Sequence, residues 1–301
     1  MREKEIIESV FQTKTPYRKE LNIPKDIKFG FEIEAGVDSK TKTDMAKQFH
    51  NLDWKVHSEC SIRTSDSIEL CSPVFDNTKS TWKYLKKISL LLIDRKADFS
   101  EASFQVNVDN VLSDKSLMDL FKLIAAYEDV IYSFSKGNDA YLRSVVCHFA
   151  SSIGHLVYNS MHKYDEYSGI NKLYSNKRYM INIKKNDIIE FRTPNSTYNA
   201  LLWQNYVNTF INMILTVKYK KLDFDKIDSY IEKFKNPYYV SYSYNNLYLD
   251  KALEFSNIVF DNDIDKLYFM KQYICSLPKR EVKKYINKME DNYGRYYFKL
   301  N

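Results

Sequence analysis

The sequence predicts an α+β fold in which helices cover one face of a mainly antiparallel sheet. Three observations lead there. Residues 178–192 (RYMINIKKNDIIEFR) form two alternating arms joined by a polar KKND turn, the pattern of a β-hairpin, and hairpin arms pair antiparallel. Strand-like and helix-like stretches do not alternate strictly along the chain, so a parallel, doubly wound sheet is a poor match. From about residue 221 onward the periodicity is helical and aromatic throughout.

The elements follow in order. Residues 2–13 suit a short amphipathic helix, and Pro16 and Pro24 lead from it into a strand at residues 29–36 (FGFEIEAG). Residues 66–74 (DSIELCSPV) are a second strand, stopped by Pro73, which cannot donate to a ladder. Residues 81–94 (TWKYLKKISLLLID) carry apolar side chains at helical spacing, as do residues 113–134 behind Ser113 as cap. Between these helices, residues 103–108 (SFQVNV) alternate, with Phe104, Val106 and Val108 on one face and Gln105, Asn107 and Asp109 on the other. A helical region near residues 139–160 precedes the hairpin, and residues 198–217 form a long apolar-periodic helix after it. Residues 226–235, 262–277 and 279–289 are helical. The chain thus divides into a helical extension at 1–26, a sheet-bearing domain at 27–220 and a helical C-terminal region at 221–301 packed on it.

With 301 residues and 44% hydrophobic content the chain can bury a full core. It has no uninterrupted apolar run of membrane-spanning length, and its first 25 residues are charged throughout, without the apolar centre of a secretion signal. A cytoplasmic protein with no membrane partner is expected. Cys60, Cys71, Cys147 and Cys275 are scattered, with no CxxC pair, which suits free thiols in a reducing compartment. The excess of 45 Lys+Arg over 39 Asp+Glu, net +6, is spread in short groups such as residues 218–221 (KYKK). The 25 tyrosines offer rings for base stacking, but no recognisable motif gathers the basic residues, so nucleic-acid binding is the weakest of the readings.

Period 2 applied to each strand collects a polar face. Glu32 and Glu34 share one side of their strand, roughly 6.5 Å apart, while Phe29, Phe31, Ile33 and Ala35 take the other. The second strand adds Glu69 between Ser67 and Cys71, the third adds Gln105, Asn107 and Asp109, and the hairpin adds Arg178, Asn182, Glu190 and Arg192. A solvated outer face accounts for any one of these side chains. For the set, an acidic centre with arginines only on the hairpin calls for a charge partner. Hard divalent cations such as Mg²⁺ take carboxylate oxygens together with substrate phosphates, and arginines grip phosphate in bidentate fashion. That is the layout of phosphoryl transfer, where catalysis is mainly positioning and charge neutralisation.

The series FGFEIE, IELCSPV, an alternating strand, RYMINI and IIEFRTPNST resembles the amidoligase family, relatives of glutamine synthetase and glutamate-cysteine ligase, over residues 29 to about 214. The resemblance implies a glutamine synthetase-like curved sheet whose concave side holds ATP and Mg²⁺ or Mn²⁺. It implies an ATP-dependent carboxylate-amine ligase acting on small-molecule or peptide carboxylates and amines. A substrate carboxylate attacks the γ-phosphate, and an amine then displaces phosphate from the acyl phosphate to leave an amide. By position, Glu32, Glu34, Glu69 and Glu190 match the family's metal ligands. Arg192 and Arg178 match its phosphate clamps, with Asn182 following Arg178 in R-x3-N spacing. Gln105 and Asn107 stand at the nucleotide side, where the family carries His-x-His. Arg143 and Cys147 match a segment near the acceptor side. Glu59, Cys60 and Ser61 stand where the family has an acidic D-x-S after a tryptophan, here Trp54. Glu59 is therefore the candidate to orient or deprotonate the amine, and Ser61 a candidate substrate contact.

Amides in place of His-x-His are neutral and cannot shuttle protons, which supports an alternative: a catalytically silent amidoligase-like module that binds nucleotide or peptide. His148, His155 and His162 recur every seven residues on one helical face with no accompanying carboxylates, the pattern of an amphipathic helix rather than a metal site. Cys147 is too close in sequence to His148 to form a nucleophile-base pair. Nothing in the sequence specifies the oligomeric state.

Overall fold

Apolar residues on alternate positions of the strands decide which side of the sheet collects helices. In the computed structural model, which describes residues 14–59, 62, 66–137, 149–162, 177–184, 187–239 and 248–277, six strands form one open sheet. They are β1 Phe29–Val37, β2 Lys55–Ser58, β3 Asp66–Cys71, β4 Phe104–Asp109, β5 Ile181–Lys184 and β6 Ile188–Phe191, in the order β2-β3-β1-β4-β6-β5. Every neighbouring pair is antiparallel. Nine α-helices lie among the described residues: α1 Ser39–His50, α2 Lys79–Asp94, α3 Asp114–Ala126, α4 Glu128–Lys136, α5 Gly154–His162, α6 Ala200–Tyr219, α7 Phe224–Ile231, α8 Leu249–Val259 and α9 Asp263–Cys275. A 3₁₀ turn, Glu232–Lys235, continues α7. The class is α+β.

The apolar side of the sheet is sealed by aromatic pairs. Phe29 of β1 stacks on Trp82 of α2 with centroids 5.3 Å apart, Phe104 of β4 stacks on Trp203 of α6 at 6.0 Å, and Phe191 of β6 lies parallel to Phe210 of α6 at 4.2 Å. Each buried ring contributes on the order of 2 kcal/mol through the area it removes from water, with a smaller addition from ring geometry. Side-chain caps fix where these helices start: Thr78 accepts from Thr81 N ahead of α2, and Asn199 accepts from Leu201 N ahead of α6. With helices committed to one side, the other side of the sheet is left for polar groups.

Two expectations change. The helix expected over residues 113–134 is two helices broken at Tyr127 (φ −113°, ψ 21°), whose hydroxyl donates to Glu254 Oε1 of α8 at 2.5 Å. The break turns α4 toward the C-terminal helices, where Phe134 stacks on Phe269 of α9 at 4.8 Å. The N-terminal extension, where described, is not helical: residues 14–26 run as bends held by side chains. Arg18 exchanges backbone hydrogen bonds with the Gln204 side chain of α6 and forms an ion pair with Asp265 of α9, while the Tyr268 hydroxyl donates to Pro16 O at 2.6 Å. The helices expected at 2–13 and 279–289 lie outside the described residues. The helices after residue 221 share one continuous apolar core with α4 and α6. No helix among the described residues is long and apolar enough to cross a membrane.

Candidate active site on the polar face of the sheet

Register and alternation together assemble the face. Glu34 of β1 lies opposite Glu69 of β3, and Glu32 lies between Cys71 of β3 and Gln105 of β4. Asn107 of β4 faces Gly30 on one side and Glu190 of β6 on the other, and Glu190 in turn faces Asn182 of β5. Directly opposed residues in an antiparallel pair share a face. Seven of the candidate side chains, Glu32, Glu34, Glu69, Gln105, Asn107, Asn182 and Glu190, therefore project from the side that the aromatic core does not occupy. Gly30 adds no side chain beside Asn107, and a Cβ there would come within 3.3 Å of Ser72 Oγ.

The β1–β3 half is acidic. The Glu69 carboxyl is pushed up to about 7, first by burial, then by the charge of Glu32 and a hydrogen bond with it, then by the charges of Glu59 and Glu34. Carboxylates this close disfavour one another's charge when no cation intervenes, so Glu69 keeps its proton to higher pH than an ordinary glutamate. Glu34, 5% exposed, accepts from Ser103 N at 2.9 Å through Oε2. Glu32 Oε1 accepts from Asn107 Nδ2 at 3.0 Å, and Asn107 Oδ1 is buried with no hydrogen-bond partner among the described residues.

The β4–β6 half is a paired network. Glu190 is fully buried; its Oε2 accepts from Asn182 Nδ2 at 2.8 Å, and its Oε1 is 3.1 Å from Arg192 Nη1. Arg192 also donates to Gln105 Oε1 at 2.8 Å and, through Nε, to Phe149 O at 3.3 Å. Arg192 thus links the buried carboxylate to β4, next to the acidic half. Among the described residues no group of three or more His, Cys, Asp or Glu side chains is arranged to hold a metal ion. The donor types are those a hard divalent cation takes: the crowded carboxylates of Glu32, Glu34 and Glu69, and the unsatisfied oxygen of the amide that donates to Glu32.

The remaining candidates fall elsewhere. Arg178 is not a strand residue: it is exposed in the turn before β5, because β5 begins only at Ile181, and its carbonyl accepts from Ser151 N at 2.7 Å. Glu59 follows β2, half-buried, and its backbone pairs with Ser67 of β3. Ser61 and Arg143 lie outside the described residues, as do Cys60, Cys147 and His148. Sequence reasoning passed over β2, which brings exposed Lys55 and His57 into register with Cys71 and Glu69. The alternation of Lys55, His57 and Glu59 around Val56 is the signal that points to them. His155 is held between the carbonyls of Phe234 and Tyr239, each at 3.0 Å, and His162 pairs with Glu232 at 2.9 Å, both structural contacts away from the sheet.

A cavity of about 740 Å³ opens between the end of α6, α7 and α8, but none of its lining residues belongs to the sheet. Two of its lysines are paired, Lys226 with Glu254 at 3.0 Å and Lys220 with Asp261 at 2.7 Å, and it lacks the crowded carboxylates of the sheet face, which is the better candidate for chemistry.

No family model matches the sequence, and no curated protein matches it. Among solved structures the chain is similar to a bifunctional glutathione synthetase from Pasteurella multocida, with a TM-score of 0.49 and 11% identity over 96% of this chain and 50% of that one. The chain spans half the length of that structure, and a likeness of this degree says nothing of its chemistry.

Proposed function

We propose that this chain is an ATP-dependent carboxylate-amine ligase that forms an amide bond through an acyl phosphate, using Mg²⁺ or Mn²⁺. The observation that carries the reading is one sheet face that runs from an over-crowded carboxylate cluster at Glu32, Glu34 and Glu69 to a half-buried, positioned arginine, Arg192. Glu32, Glu34 and Glu69, with Asn107 Oδ1, are the oxygen donors that would hold the cation. When bound, it supplies charge neutralisation between two anions that must meet, a carboxylate and a triphosphate. The chain's own residues do the rest. Glu190 and Gln105 aim the Arg192 guanidinium, whose remaining N–H groups bind phosphoryl oxygens. Glu59, beside the cluster, orients the amine and accepts its proton. Burial of Glu34, Gln105, Asn182 and Glu190 keeps water from the floor of the site, which protects an acyl phosphate from hydrolysis.

The test is incubation of the protein with Mg·ATP and pooled amino acids and small peptides, following ADP release together with new amide masses. Coupled appearance of both supports the ligase; ADP with no new amide, or neither product, counts against it. A second reading, a nucleotide- or peptide-binding module without turnover, is favoured by one observation. Gln105 and Asn107, at the His-x-His positions, are tied within the protein to Arg192 and Glu32. Stabilisation of the fold by Mg·ATP with no ADP under any acceptor would single it out.

A further inference from the structure

Asp129, the second residue of α4, is 2% exposed and gathers donors from three later segments. Its Oδ2 lies 2.9 Å from Lys233 Nζ of the 3₁₀ turn, 3.4 Å from the Tyr239 hydroxyl and 3.6 Å from Lys251 Nζ of α8. Its Oδ1 is buried with no hydrogen-bond partner among the described residues. The surrounding wall is aromatic: Lys251 Nζ is 4.9 Å from the Tyr230 ring centre and 5.6 Å from that of Tyr127, and Lys233 Nζ is 5.0 Å from Phe234. The other acids nearby are committed elsewhere. Glu254 takes the hydroxyls of Tyr127 and Tyr230 and the ammonium of Lys226, and Glu128 takes Ser152 Oγ and Ile153 N.

Two ammonium groups therefore share one buried carboxylate, and its single charge offsets only one of them. Lys233, the nearer, has the better claim. Lys251, more weakly paired, is the one that gives up its proton more readily than an ordinary lysine. Burial first, then repulsion from Lys233, push its amine down to about 8. Its side chain keeps 19% exposure, enough for a small reagent to reach it.

We propose that Lys251 is a nucleophilic lysine, a covalent site for activated acyl carbons such as those of acyl phosphates. The neutral amine's lone pair forms a C–N bond to the acyl carbon, and the C–O bond to phosphate breaks. Phosphate departs with that electron pair, and the nitrogen releases its proton to water. The site shares no residue with the polar sheet face and stands or falls independently of the ligase reading.

The experiment uses the full chain and acetyl phosphate as probe, with acetylation at each lysine quantified by peptide mass spectrometry from about pH 6.5 to about pH 10. Near neutral pH, Lys251 is expected to react about tenfold faster than the exposed Lys25, with a rate midpoint near its depressed value rather than near that of a free lysine. In Lys233→Met the competing cation is gone, and the Lys251 rate falls back toward that of Lys25. A Lys251 rate no greater than that of Lys25 in the wild-type protein overturns the proposal, whether or not the variant folds. So does a rate unaltered in a folded Lys233→Met protein.

Discussion

Glu34 and Glu69 face each other in register across β1 and β3, two carboxylates directly opposed on the side of the sheet that the core leaves uncovered. Like charges in that relation oppose folding unless a proton or a cation intervenes. The fold keeps them because the opposite faces of the same strands, Ile33, Ala35, Ile68 and Leu70, are buried without exposure. Packing on one side of the strands offsets repulsion on the other.

A pH dependence follows from this crowding. The folded-state value for Glu69 is raised to about 7, above its unfolded value, so its contribution to stability is fully present below the unfolded value. It is lost as pH rises from the ordinary carboxylate range through about 7. Urea unfolding without divalent metal should show that decline, and Glu69→Gln should remove it and gain about 1 kcal/mol near pH 8, after allowance for solvent screening. An unaltered pH profile in the variant contradicts the assignment.

Arg192, half-buried, pairs with the fully buried Glu190, and removing the arginine strands the buried carboxylate's charge. Arg192→Met should cost about 3 kcal/mol in chemical denaturation. Glu190→Gln combined with Arg192→Met should recover a substantial part of that loss, since the stranded charge is then gone. Strict additivity of the two single changes argues that the pair is not coupled.

Gly154 opens α5 against Phe234: a Cβ there would sit 1.9 Å from the ring's Cζ atom. Gly154→Ala should destabilise by about 1–3 kcal/mol as the 3₁₀ turn is pushed off. Combining it with Phe234→Leu should restore part of the loss, read as the thermal midpoint of the double variant against each single one. A Gly154→Ala protein as stable as the wild type would mean the helix and turn do not pack as described.

Much of the sheet was legible because its strands are half-buried, so burial and sequence share period 2. The registers of Glu32, Glu69, Asn107 and Glu190 then place on one face the residues that alternation had grouped. The pattern thins where burial is slight. β2 spans four residues, with Val56 its one apolar side chain, and α1 buries only Met45 and Phe49, so neither shows a clear period. The break at Tyr127 was hidden because apolar spacing continues across it; the side chain that turns there bonds to Glu254, distant in sequence. Arg178 was misplaced for a similar reason. Alternation runs back through Met180, but pairing with β6 starts only at Ile181, and strand ends are set by partners that a single sequence does not display.

The most direct test of the ligase proposal is isothermal titration calorimetry of the full chain with ATP, with and without Mg²⁺. ATP uptake that requires Mg²⁺, is lost in Glu34→Ala and Glu190→Ala and persists in His155→Ala is the predicted result. Absence of Mg²⁺-dependent uptake by the wild-type protein, or equal loss in all three variants, would contradict it.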